Sequence, residues 1–270
     1  MAKSIFFKKS FTNAEIKSLN MLTVDNNLEA TSLVRKNEAE MTSTEKKAFK
    51  DAVRQLVSSE VYNKMVNIHE DMSHDMHGRM HGVVSQTGVQ RFLAWHRAYL
   101  IEAEKEFQKI DPNIHIPYWQ WTKNKKFPEW LSDLLPENLK TVGGQTYTVT
   151  RNIGVNQSTL PTKKSIEDIL KINDYTTFTL ALEGWKPYGA HNQVHVYVGG
   201  TMEEMHSPAD PVFWLHHAEI DRIWSIWQSN HANGHPSLIG PPTIMDPWAY
   251  RYKDIAVTTQ LGYTYEETEL

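Results

Sequence analysis

The chain has 270 residues, 40% of them hydrophobic with nine Trp, a formal net charge of -4 and a pI near 6.4, so a large single core is affordable and a nucleic-acid-binding charge excess is absent. It has no cysteine, which excludes disulfides, thiolate zinc sites, iron–sulfur clusters and cysteine nucleophiles. No run approaches the roughly 20 apolar residues of a membrane span, and Met1–Asn20 carries neither a signal-peptide core nor a twin arginine. The expectation is a soluble, cytoplasmic protein with an N-terminal extension over residues 1–33 and one domain over 34–270.

Thr42-Ser43-Thr44-Glu45 is a capping box and opens a first helix with Phe49, Ala52, Val53, Leu56 and Val57 on one face. A second helix starts near Ser59, its buried stripe marked by Val61, Met65, Ile68 and Met72, with His69 inside that stripe. A third runs from about Gln90 to Lys109 and places His96 four residues after Phe92. Residues 112–160 read as loops with a short strand at Thr146–Thr150. Two shorter helices follow over 162–172 and 174–183, the second stopped by Gly184. His191–Val198 is open to helix or strand because of its valines. Asp210-Pro211 reads as N-cap and first position of a helix that puts Phe213, His217, Ile220, Trp224 and Trp227 on one face. Residues 229–270 read as mostly irregular. The class is mainly α: a helical bundle of four core helices with long irregular loops and a few short strands.

Histidine is the anomaly. There are 13, four between His69 and His81 and five between His191 and His217. A single inward His is usually a hydrogen-bonded core residue. Several on different helices are harder to place, because each buried imidazole needs partners for both ring nitrogens. His191 and His195 are four apart, so on a helix both rings face one ion. His217 lies on an apolar face and supplies a third ligand, with His216 beside it. Position 192 is Asn, so the zinc-protease HExxH pattern fails, and Glu203 with His206 forms only one of the paired Glu-x-x-His motifs a di-iron bundle needs. An all-imidazole set favours copper.

The residues carrying this pattern resemble a known family. FLAWHRAYL over 92–100 is similar to the first-copper signature of tyrosinases, and HNQVHVYVGG over 191–200 with DPVFWLHHAEIDRIW over 210–224 is similar to the second. The likeness extends from Val34-Arg35-Lys36-Asn37 through Ile116–Trp121 to Gly262–Tyr265. It implies two copper ions as cofactor and O2 as co-substrate, with His191, His195 and His217 on the second copper and His69 and His96 on the first. Many relatives take the third first-copper ligand nine residues before the second, and here that position is Thr87. His77, His81 and His74 compete; an eight-residue spacing found in some relatives selects His77. The resemblance also implies that Glu183 and Asn192 hold a water acting as base, and that Met205 shapes the substrate entrance. The expected form is a short one, without a C-terminal lid domain.

The implied function is ortho-hydroxylation of monophenols and oxidation of catechols to o-quinones. The alternatives are a catechol oxidase alone or a hemocyanin-type oxygen binder. Two adjacent cuprous ions can together give O2 two electrons, while the protein supplies geometry and a water-poor pocket. The expected partners are small phenols, catechols and O2, with no nucleic acid or membrane, and a separate chaperone as a copper source.

Overall fold

The structure, a computed structural model, describes residues 33–80, 83–184, 189–231 and 234–270. Residues 1–32 of the expected N-terminal extension lie outside the described residues, as does the ligand candidate His81. Residues 33–270 form one compact unit.

Helix α1 (Ser43–Ser58) starts at the expected capping box. Thr42 Oγ1 accepts from the Glu45 amide at 3.2 Å, and Glu45 Oε2 accepts from the Thr42 amide at 2.7 Å. Such a cap is worth about 1 kcal/mol. Phe49, Ala52, Val53 and Leu56 are buried as their spacing predicts.

Helix α2 (Val61–Glu70) is shorter than expected and rotated. Its buried residues are Tyr62, Met65, Val66 and His69, while Met72 is 39% exposed. The cause lies at its ends. Glu60 turns left-handed before it (φ 60°), and Asp71 takes over after it, its carboxylate accepting from the Ser73 amide at 3.0 Å to start a tight turn over Met72–His74. Asp75, also left-handed (φ 45°), then folds the chain back through Met76 and His77. Strands β1 (Leu33–Arg35), β2 (Arg79–Met80) and β3 (Val83–Val84) are short, the last two an antiparallel pair.

Helix α3 (Gln86–Ile110) begins four residues before the expected Gln90, because Ser85 caps it by accepting from the Gly88 amide at 2.9 Å. Residues 88–100 are all buried, so it is the central helix rather than a one-faced one. A Cβ at Gly88 would lie 1.9 Å from the His77 carbonyl oxygen. Glycine there lets α3 press directly on the returning loop that carries His77.

The long loop region holds a hairpin of β4 (Leu139–Lys140) and β5 (Thr146–Tyr147). The expected strand stops at Tyr147, since the Val149 amide leaves the ladder and donates to the Pro136 carbonyl at 2.9 Å. Helices α4 (Lys163–Leu170), α5 (Tyr175–Glu183) and α6 (Ala190–Val198) follow, with Gly184 ending α5. The open choice at 191–198 resolves to helix: Val194 and Val198, four apart, are buried, and Val196 faces outward.

Helix α7 (Val212–Asn230) starts one residue after the expected position. Asp210 caps it from outside, Oδ1 accepting from the Val212 amide at 3.0 Å, while both carboxylate oxygens also bind Arg151 at 2.6 and 2.7 Å. Like α3 it is buried nearly all round, and the two pack together at the centre. After a one-turn helix α8 (Tyr252–Ile255), strand β6 (Tyr263–Tyr265) pairs in parallel with β1, Leu33 opposite Tyr263 and Arg35 opposite Tyr265.

A buried polar cluster joins these parts. Asp221 on α7 accepts from Arg97 of α3 at 2.5 Å and from the Tyr263 and Tyr265 hydroxyls at 2.7 and 2.6 Å. Arg35 lies 3.6 Å from the same carboxylate and binds Glu104 of α3 at 2.9 Å. Burial alone would raise the Asp221 pKa, but Arg97, Arg35 and the two hydroxyls hold it below the ordinary carboxylate value. No helix among the described residues is long and apolar enough to cross a membrane.

Candidate metal centre

Four helices and one loop bring six of the sequence-selected histidines into two adjoining groups. His69 ends α2, His77 sits on the returning loop and His96 lies mid-α3; their ring nitrogens fall within 4.8 Å of one another. His191 and His195 lie one turn apart on α6 and meet His217 of α7 within the same limit. The His96 and His217 rings stack at 4.5 Å and 13°, so the groups share a wall. Phe92 packs on His77, His96 and His191, and Phe213 on His69, His195 and His217.

The hydrogen bonds on the outer nitrogens set the tautomers. His69 Nδ1 meets the Met205 carbonyl at 2.7 Å, His96 Nδ1 the Phe92 carbonyl at 2.8 Å, and His195 Nδ1 the Met202 carbonyl. A carbonyl only accepts, so each Nδ1 carries the proton and each Nε2 presents a lone pair. His191 Nδ1 likewise donates to Asn192 Oδ1 at 2.8 Å. Inside the groups, His69 Nε2 then faces His96 Nε2 at 3.4 Å, and His191 Nε2 faces His217 Nε2 at 3.3 Å. The first of these contacts sets two lone pairs against each other. The buried Nε2 atoms of His77 and His195 have no hydrogen-bond partner at all. Facing lone pairs and orphaned acceptors are costly as a dry core and are resolved together by a cation in each group. The donor set therefore fits an imidazole-preferring metal pair.

Protonation points the same way. Burial, followed by the neighbouring histidines, pushes His96, His191 and His217 well below the ordinary imidazole pKa; His69 follows from burial and His77. His195 is lowered by burial to about 4. These rings are neutral at pH 7, the form a metal binds.

Of the three competing candidates for the first group, the structure brings His77 to His69 and His96. His74 turns away, its Nδ1 2.5 Å from Asp246 Oδ2 and its ring over Trp95. His216 lies in the His191–His195–His217 group, fully buried, with neither ring nitrogen hydrogen-bonded. His217 is the member of the pair whose ring reaches His96.

Glu183, the last residue of α5, is only 3% exposed. Its two oxygens accept from the Gly78 amide at 2.9 and 3.1 Å, and Oε1 lies 3.5 Å from His77 Nδ1. A Cβ at Gly78 would stand 2.5 Å from Glu183 Oε2, so glycine makes room for the carboxylate. Glu183, Asn192 and Met205 line one cleft of about 290 Å³ that opens over His69, His77, His191 and His195.

The description "common central domain of tyrosinase" matches residues 59–155 and 131–230. The tyrosinase of Streptomyces glaucescens is 34% identical over 258 residues, 80% of this chain and 92% of that protein. This chain belongs to the tyrosinase family. Its other relatives include grixazone synthase of Streptomyces griseus, 27% identical over 87% of this chain and 99% of that protein. Among solved structures, a functional unit of octopus hemocyanin superposes with a TM-score of 0.62 at 20% identity, covering 88% of this chain and 69% of that one. The tyrosinase of Burkholderia thailandensis gives 0.59 at 16% identity, over 96% and 73%. Both share the helical fold.

Sequence reasoning missed the groups that hold these histidines in place. The carbonyls of Phe92, Met202 and Met205 and the Gly78 amide are backbone atoms and leave no residue-type signal.

Proposed function

We propose that the chain oxidises phenols with O2 at a dicopper centre, hydroxylating monophenols beside their OH and converting catechols to o-quinones. Copper-dependent phenol oxidation follows from family membership. The finer assignment rests on one observation: six histidines gather in two touching groups, and four of them, His69, His77, His191 and His195, line a cleft. His69, His77 and His96 would hold one copper, and His191, His195 and His217 the other. Bound there, the metal pair supplies the electrons for O2 and the oxidising power delivered to the ring.

The chain's own part is positioning and proton handling. The Met205, Phe92 and Met202 carbonyls fix three ring planes through Nδ1, and Asn192 fixes a fourth. Phe92 and Phe213 pack against the rings and supply apolar walls between them. A monophenol must lose its proton to react, and Glu183 is the carboxylate at hand, held rigid by the Gly78 amide. Glu183 and Asn192 would hold a water that accepts this proton, and Met205 would guide the ring into the cleft. A catechol and monophenol panel tests the reading with copper-loaded and zinc-loaded protein. Oxidation of both substrates by the copper form alone is expected. Turnover of neither by copper-loaded protein would overturn it.

A further inference from the structure

The cleft carries charge of one sign. Glu203 and Glu204 line it beside Glu183, and no lysine or arginine among the described residues does. Both are exposed, and neither carboxylate has a hydrogen-bond or ion-pair partner among the described residues. Their backbone is tied down on each side. The Met202 carbonyl takes the His195 Nδ1 proton, and the Met205 carbonyl takes that of His69. The two glutamates therefore sit on a short segment pinned to both histidine groups, at the edge of the space a ligand must occupy.

We propose that this edge selects phenols bearing a cationic side chain, phenolic amines, over phenolic carboxylic acids. The inference rests on the phenol-oxidising reading above. A ring entering the cleft leaves its para substituent toward the rim, where an ammonium meets one or two carboxylates and a carboxylate is repelled. A contact between unit charges near water is worth roughly fivefold, so amine and acid should separate by about tenfold or more. Exposed charges are screened, so the separation should shrink as salt rises.

The experiment compares kcat/KM of the copper-loaded full chain for tyramine, para-ethylphenol and para-hydroxyphenylpropionate, at low and high salt. The neutral phenol is the reference for the other two. Wild type should favour tyramine over the acid by about tenfold at low salt, and less at high salt. In the Glu203→Gln/Glu204→Gln variant, checked for copper content and thermal unfolding, the ratio should fall toward one. An unchanged ratio in that variant, or a preference for the acid in wild type, overturns the proposal. If the neutral phenol is oxidised without charge discrimination, only this inference fails. If none of the three is oxidised, the phenol-oxidising reading fails and this inference with it.

Discussion

Replacing Glu183 by Gln keeps the size of the side chain and removes its charge. In the wild type both oxygens accept from the Gly78 amide, at 2.9 and 3.1 Å, and Oε1 stands 3.5 Å from His77 Nδ1. Glutamine retains one acceptor for Gly78, so the loop keeps its anchor, at a cost of about 1 kcal/mol for exchanging a charged acceptor for a neutral one. Proton acceptance is the larger loss. A monophenol has a pKa of about 10, like a tyrosine side chain, so it reaches the reactive ionised form only with help. Removal of a general base costs a factor on the order of 10²–10⁴. A catechol is more acidic and has a second hydroxyl, so its loss should be clearly smaller. The assay is kcat/KM for one monophenol and one catechol in wild type and Glu183→Gln at matched copper content. Equal losses on both substrates would refute the base assignment and leave Glu183 as an anchor for His77 and Gly78.

Gly78→Ala places a Cβ 2.5 Å from Glu183 Oε2 and 2.6 Å from Val89 Cγ2, so it should cost about 1–3 kcal/mol in urea unfolding and also lower monophenol turnover. Asp221→Asn leaves Arg97 buried without its carboxylate and should cost about 3–5 kcal/mol by the same measurement. The metal-free protein should lose stability in acid. His69, His96, His191, His195 and His217 have folded pKa values below the unfolded value of about 6.5, so the folded state binds fewer protons. That contribution is present above pH ~6.5 and is lost as pH falls toward the folded value, about 4 for His195, by up to about 1.4 kcal/mol per pH unit for each ring. Urea midpoints at pH ~7.5 and ~5.5 check it, and no change between them would contradict it.

The parts of the fold that repeat locally were readable in the sequence. Thr42 and Glu45 cap α1 through contacts three residues apart, and the apolar spacing of α3 and α7 marks both helices around His96 and His217. What depends on distant partners was not. Helix α2 ends at Glu70 because Asp71 caps the next turn and Asp75 turns left-handed, so the expected stripe ending at Met72 was wrong. Asp210 was read as a helix cap alone, because its partner Arg151 is 59 residues away. Within the site, the histidine types and the i, i+4 pair on α6 were visible. Which of His74 and His77 stands beside His69 and His96 was not readable from residues alone, since a loop pinned by Gly78, Glu183 and Asp246 decides it.

Metal content per chain tests the central claim most directly. Protein loaded with copper and freed of excess should carry two ions per chain by elemental analysis. His195→Ala and His217→Ala should each lose the ion of the second group while keeping that of the first, and His77→Ala should do the reverse. One ion or none in the wild type, or two retained in all three variants, would contradict the assignment of the two histidine groups.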